Sequence, residues 1–100
     1  MHDRPFQFEW DQTKAIANAR KHGVSFDLAR TVFNDPLLLT VADLKHSEKD
    51  ERWFSIGRAA NNSLLSVAYL WSETQFATKI RIVSARKATQ TEMRQYEESA

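Results

Sequence analysis

The stretch from Lys79 to Glu92 constrains the fold most. Lys79-Ile80-Arg81-Ile82-Val83-Ser84 reads as part of a β-branched strand with Arg81 in its middle, and it runs on through Ala85 into Arg86-Lys87. It passes into Ala88-Thr89-Gln90-Thr91-Glu92 without a Gly or Pro. Thr89 and Glu92 stand at capping-box spacing, in which each side chain satisfies a free backbone N–H of the other's residue. A strand must therefore hand over directly to a helix. An arginine inside a strand is costly unless that strand faces solvent or a ligand. Arginine clusters on a sheet hold phosphate well, because the guanidinium fork matches its oxygens.

The charge is unevenly spread. Residues 1–51 carry seven Lys and Arg against nine Asp and Glu, a net of −2, and residues 88–100 also net −2. Between them, Arg52, Arg58, Lys79, Arg81, Arg86 and Lys87 face Glu73 alone, a net of +5 inside a chain whose total is +1. Basic central strands with acidic flanks suit a polyanion held on one face. A solvated basic edge that discourages sheet aggregation is the plainer alternative.

A chain of 100 residues, 42% of them hydrophobic, is expected to form one domain with a real core. There is no cysteine, so neither a disulfide framework nor a thiolate metal site is expected. No apolar run is long enough to span a membrane, and Met1-His2-Asp3-Arg4-Pro5 lacks the apolar stretch of a signal peptide. A cytoplasmic protein is the expectation.

Phe6-Gln7-Phe8-Glu9-Trp10 alternates with period two and predicts a short strand. Asp11 is placed to cap a helix that ends at Lys21-His22-Gly23, where glycine suits the left-handed position and the cations suit the helix dipole. Ser25 is placed to cap a second helix through Leu28, Ala29, Val32 and Phe33, which stops at Asn34-Asp35-Pro36. Leu37–Ala42, Trp53–Gly57, Leu64–Trp71 and Phe76–Ser84 read as strands. Leu64–Trp71 is apolar on both parities and so belongs in the sheet centre. Asn61-Asn62 is a turn dipeptide, and a closing helix follows Thr89 to about Glu98. The order β-α-α-β-β-β-β-α predicts an α+β fold with a mostly antiparallel sheet packed by helices.

Phe8-Glu9-Trp10-Asp11, Lys14, Asn18, Lys21-His22-Gly23-Val24, Phe26, Val32-Phe33 and Asp35-Pro36 resemble the N-terminal half of BrnT-family toxins. Glu51-x-Trp53, Gly57, Arg81-Ile82-Val83-Ser84-Ala85-Arg86, Ala88, Glu92 and Tyr96 resemble the C-terminal half, so the likeness runs from about residue 8 to 97. It implies one RelE-like domain over residues 1–100. It also implies a type II toxin that cleaves RNA, stops translation and is neutralised by a BrnA-like DNA-binding antitoxin. The implied complex is a hetero-oligomer that holds operator DNA through the antitoxin.

RNA can be cut without a metal when the 2′-hydroxyl attacks the adjacent phosphate. The protein must then supply a base, an acid and cationic groups where charge develops. Arg58, Arg81 and Arg86 are the candidates for phosphate and transition-state charge, with Arg52, Lys79 and Lys87 as further RNA-binding cations. Surface ion pairs to Glu92, Glu97 or Glu98 are the structural alternative. His46, in the polar Asp43–Glu51 loop, titrates near neutrality. Glu51 is placed to act as a base or to pair with Arg52. Tyr96 shares a helix face with Glu92, and Glu92 is read as serving the cap. His22, Trp10 and Asp11 are explained by helix ending, packing and capping. No HxxxH or CxxC spacing suggests a metal, no Gly-rich loop suggests nucleotide hydrolysis, and no cofactor is expected. A non-catalytic nucleic-acid-binding module and an inactive antitoxin-binding scaffold remain as alternatives.

Overall fold

A computed structural model describes residues 5–42 and 52–100. In chain order the elements are β1 (Phe6–Glu9), α1 (Gln12–His22), α2 (Phe26–Ala29) with a 3-10 turn (Arg30–Asn34), β2 (Leu39–Ala42), β3 (Arg52–Arg58), β4 (Leu64–Glu73), β5 (Thr78–Lys87) and α3 (Gln90–Ser99). The sheet order is β1-β5-β4-β3-β2. Only the β1–β5 pair is parallel, so the sheet is mostly antiparallel and the expected α+β order is the observed one.

β4 lies in the middle, as its apolar character on both parities requires. Its Leu65, Val67 and Tyr69 are at most 1% exposed and pack with Ile80, Ile82 and Ala85 of β5. Val24, Phe26, Ala29 and Val32 close this core from the helical side. Burying each large apolar side chain stabilises by about 1.5–3 kcal/mol. An aromatic seam extends the core toward the sheet edge, with Phe33 meeting Tyr69 edge-on at a centroid distance of 5.0 Å and Phe8 at 5.4 Å.

α1 carries little apolar surface, and its one buried residue is Asn18. The Asn18 Nδ2 donates to the Val24 and Ala85 carbonyls, both at 2.9 Å, and Oδ1 accepts the Ala85 N–H at 3.1 Å. The reason lies in β5. β1 pairs with β5 only from Thr78 to Arg81, so beyond Arg81 a side-chain amide takes the place of a neighbouring strand.

Helix ends follow the sequence with two adjustments. Gly23 takes the left-handed position at φ 69°, and Ser25 accepts from the Leu28 N–H. The Thr89–Glu92 capping box is complete. Asp11 occupies its cap position but its side chain makes no cap hydrogen bond. The second helix is α-helical for only four residues and then tightens into the 3-10 turn, which ends at Asp35 before Pro36. β5 runs on to Lys87, so Arg86 is a strand residue rather than part of a connection.

Gly57 marks a close approach. A Cβ there would meet Leu38 Cδ1 at 2.6 Å, Val32 Cβ at 3.1 Å and the Val32 carbonyl at 3.3 Å. The missing side chain lets β3 lie against the 3-10 turn and the start of β2.

Candidate functional site

The helical core covers one face of the sheet, and α3 covers only part of the other. The strand register sorts the cations between them. On β3, Arg52, Phe54, Ile56 and Arg58 share the second face, opposite Leu70, Ala68, Ser66 and Leu64 of β4. On β5, Ile80 and Ile82 face the core, paired with Trp71 and Tyr69. The pairing then jumps from Tyr69↔Ile82 to Ala68↔Ser84, leaving Val83 as an extra residue. This is a β-bulge, and it inverts the alternation of the residues that follow. Ala85 therefore enters the core, while Ser84 and Arg86 join Lys79 and Arg81 on the second face.

The result is a basic face. Arg52 and Arg86, from β3 and β5, flank the β4 residues Ser66 and Ala68. Together with Phe54 and Ser84 they line a cleft of about 260 Å3. Two guanidinium groups and two hydroxyls in one recess match the donor chemistry that phosphate requires. Arg86 is held firmly. Its Nη1 donates to Glu92 Oε1 at 2.7 Å and its Nη2 to Oε2 at 3.0 Å. Glu92 Oε1 also accepts the Thr89 N–H at 2.9 Å. Burial opposes ionisation of Glu92, but the Arg86 and Thr89 hydrogen bonds and the Arg86 charge outweigh it and hold its carboxyl below the ordinary value. The same hydrogen bond raises the pKa of Arg86.

One helical turn along α3 from Glu92, Tyr96 is 4% exposed and its hydroxyl donates to Asp35 Oδ2 at 2.6 Å. Asp35 also accepts the Leu37 N–H at Oδ1 and the Arg58 N–H at Oδ2. Burial works against the Asp35 charge, yet these donors and Arg58 together hold its carboxyl below the ordinary value. The hydrogen bond to Asp35, with burial and the Asp35 charge, raises the Tyr96 pKa, so the phenol keeps its proton. The Arg58 guanidinium lies 5.8 Å from the Tyr96 ring centroid, and its Nη1 donates to the Asn62 carbonyl at 3.0 Å. Asp35, Arg58 and Asn62 also line a separate recess of about 420 Å3.

The sequence candidates thus fall into distinct places. Arg52 and Arg86 meet in the cleft, and Arg58 and Tyr96 meet at the Asp35 cluster. Arg81 lies farther along the second face, bonded through Nη1 to Glu9 Oε2 at 3.2 Å across the β1–β5 pair. Lys79 follows on the same parity. Lys87 pairs with Leu65 and so falls on the other parity from Arg86. His46 and Glu51 lie outside the described residues. Ser66, Ser84 and Asp35 are absent from the sequence candidates. Asp35 reads only as a helix stop before proline, and the serines become neighbours only through strand pairing. Among the described residues, no group of three His, Cys, Asp or Glu could hold a metal ion, and no helix is long and apolar enough to cross a membrane.

Residues 10–92 match the family described as "Ribonuclease toxin, BrnT, of type II toxin-antitoxin system". The 1.1 Å crystal structure of the Brucella abortus ribonuclease toxin BrnT is similar, with a TM-score of 0.60 and 19% identity over 86% of this chain and 99% of that one. At that identity the likeness speaks for the fold. No curated protein matches the sequence.

Proposed function

The chain belongs to the BrnT family of type II toxin–antitoxin ribonuclease toxins, and from this premise we propose that it is a metal-independent endoribonuclease that halts translation by cutting RNA. The observation that carries this reading is the Arg52–Arg86 cleft with its two serines. In the proposed reaction the ribose 2′-hydroxyl attacks its own 3′-phosphate. Charge accumulates on the phosphorane oxygens, and the 5′-oxygen leaves with a proton. Arg52 and Arg86 neutralise that charge at a fixed distance, where preorganised donors act most strongly. Ser66 and Ser84 offer hydroxyls to the same oxygens. Lys79 and Arg81 extend the basic face toward flanking phosphates, and Arg58 lies on its opposite side. Tyr96 keeps its proton on Asp35, so the acid and base are proposed from His46 and Glu51. Lys87, exposed at the end of β5, is proposed to meet RNA outside the cleft.

The partner proposed for the toxin is a BrnA-like antitoxin in the cytoplasm, which brings operator DNA to the complex. β2 ends the sheet, and an edge strand can accept an extended segment of a partner by strand addition.

The test is cleavage of RNA by the purified chain in EDTA, beside a folded Arg52→Ala/Arg86→Ala variant. Cleavage by the parent alone supports the proposal. Cleavage that stops in EDTA removes metal independence. Binding without cleavage by the folded parent favours a non-catalytic module or a toxin that acts only on the ribosome.

A further inference from the structure

A guanidinium has five N–H donors, arranged as an end fork on Nη1 and Nη2 and a side fork on Nε and Nη2. Glu92 takes the end fork of Arg86 with bonds of 2.7 and 3.0 Å. The side fork is left for a ligand. The Glu92 side chain is 12% exposed, whereas that of Arg86 is 42% exposed. The carboxylate is therefore the sheltered partner and the guanidinium the accessible one. Glu92 is also fixed from behind. Its Oε1 accepts the Thr89 N–H, while its own N–H donates to the Thr89 hydroxyl at 3.1 Å. One carboxylate thus joins the first turn of α3 to Arg86, whose Nη1 also donates to the Lys87 carbonyl at 3.3 Å. A capping box alone asks nothing of Arg86, and an ordinary surface ion pair is neither bidentate nor braced by a backbone donor.

Resting on the reading of the Arg52–Arg86 cleft as the phosphate site, we infer that Glu92 is a positioning residue, locking the Arg86 guanidinium so that its Nε–Nη2 edge meets the scissile RNA phosphate. The lock removes rotamer freedom that Arg86 would otherwise lose on reaching the transition state. Its effect belongs in the rate of the bound complex rather than in RNA affinity. Affinity holds or rises when Glu92 is neutralised, because one negative charge leaves the basic face.

The experiment compares the parent with Glu92→Gln, Thr89→Ala and Arg86→Ala, measuring RNA affinity, cleavage rate at saturating RNA and thermal midpoint. Glutamine still serves a capping box, so Glu92→Gln isolates the lock from the cap. Glu92→Gln is expected to keep affinity close to the parent's and to lower the midpoint through the lost carboxylate charge, while the saturated rate of the folded variant falls by about tenfold or more, the scale on which small misplacements act. Thr89→Ala is expected to lower the midpoint and leave the saturated rate of the folded protein unchanged. A parental rate in Glu92→Gln, with cleavage lost in Arg86→Ala, overturns the inference and leaves the cleft reading standing. A parental rate in Arg86→Ala removes both. The Arg86 Nε–H signal in 15N spectra, assigned with Arg86→Lys, provides a test that needs no turnover. Inorganic phosphate should shift it saturably in the parent, and in Glu92→Gln the affinity should be kept while the shift at saturation is smaller, because the Nε–Nη2 edge is no longer held on the anion. Equal shifts, or none in the parent, overturn the inference.

Discussion

Tyr96 and Asp35 are joined by a 2.6 Å hydrogen bond across 61 residues of sequence. It connects the last helix to the turn after the first helical pair, and through Asp35 to the backbone of Arg58 at the end of β3. Three chain segments that share no local contact converge on one carboxylate.

Tyr96→Phe is expected to lower stability by about 1 kcal/mol, the usual net value of one hydrogen bond. Asp35→Ala is expected to cost about 1–2 kcal/mol, because it strands several donors in a partly solvated site. Urea denaturation of both variants checks the order. An Asp35→Ala variant as stable as the parent would dismiss the carboxylate as a fastening point.

Asp35 and Glu92 are both held below the ordinary carboxylate value in the folded protein. The unfolded chain then binds protons more readily than the native one. Stability from these groups is fully present above about pH 5 and falls as the pH drops below about 4. Urea midpoints measured from pH 6 to 3 should fall on acidification, and Asp35→Asn should flatten that decline. An unchanged slope in the variant would assign the acid sensitivity elsewhere.

Asn18→Ala is expected to destabilise by about 2–3 kcal/mol, since it leaves buried partners on Val24 and Ala85 without hydrogen bonds. Hydrogen exchange offers a local readout. Loss of protection should concentrate at the Ala85 amide rather than spread evenly over the sheet.

Gly57→Ala is expected to cost about 1–3 kcal/mol through overpacking. The tip of Leu38 can swing away, but the Cβ and carbonyl of Val32 cannot, because Val32 is fully buried. Combining Gly57→Ala with Leu38→Ala should recover only part of the loss, which thermal unfolding of the double variant would show.

Arg81 and Arg86 should behave differently toward RNA. Arg81→Ala and Lys79→Ala are expected to weaken binding and reduce the salt slope by about one each, the mark of a phosphate contact. Arg86→Ala is expected to lower the cleavage rate of bound RNA by about 100-fold, the scale of a lost transition-state donor. A large rate loss in Arg81→Ala with unchanged binding would move the reacting phosphate toward Glu9 and β1.

Much of the architecture was legible in the residues themselves. Gly23 ends α1, Ser25 and the Thr89–Glu92 box start helices, and the doubly apolar Leu64–Trp71 run becomes the central strand, because these signals act within a few residues of one another. The same local grammar could not show that the second helix would tighten to 3-10, which happens where Val32 packs beneath Gly57. Nor could it find Asp35 or Asn18 as fastening points, because the segments they tie in, Arg58 and Tyr96 for Asp35 and Ala85 for Asn18, lie 23 to 67 residues away in sequence.

The clearest division concerns Arg81 and Arg86. The sequence by itself determined that a basic, β-branched strand leads into a capped helix, and that positive charge gathers between residues 52 and 87. The two arginines stand five positions apart, an odd spacing that places them on opposite faces of a regular strand. Tertiary pairing with β4 decided otherwise. Core packing draws Ile80, Ile82 and Ala85 inward together, and the register admits that set only by leaving Val83 out as a bulge. The apolar demand of the core thereby brings both arginines to one face of the sheet.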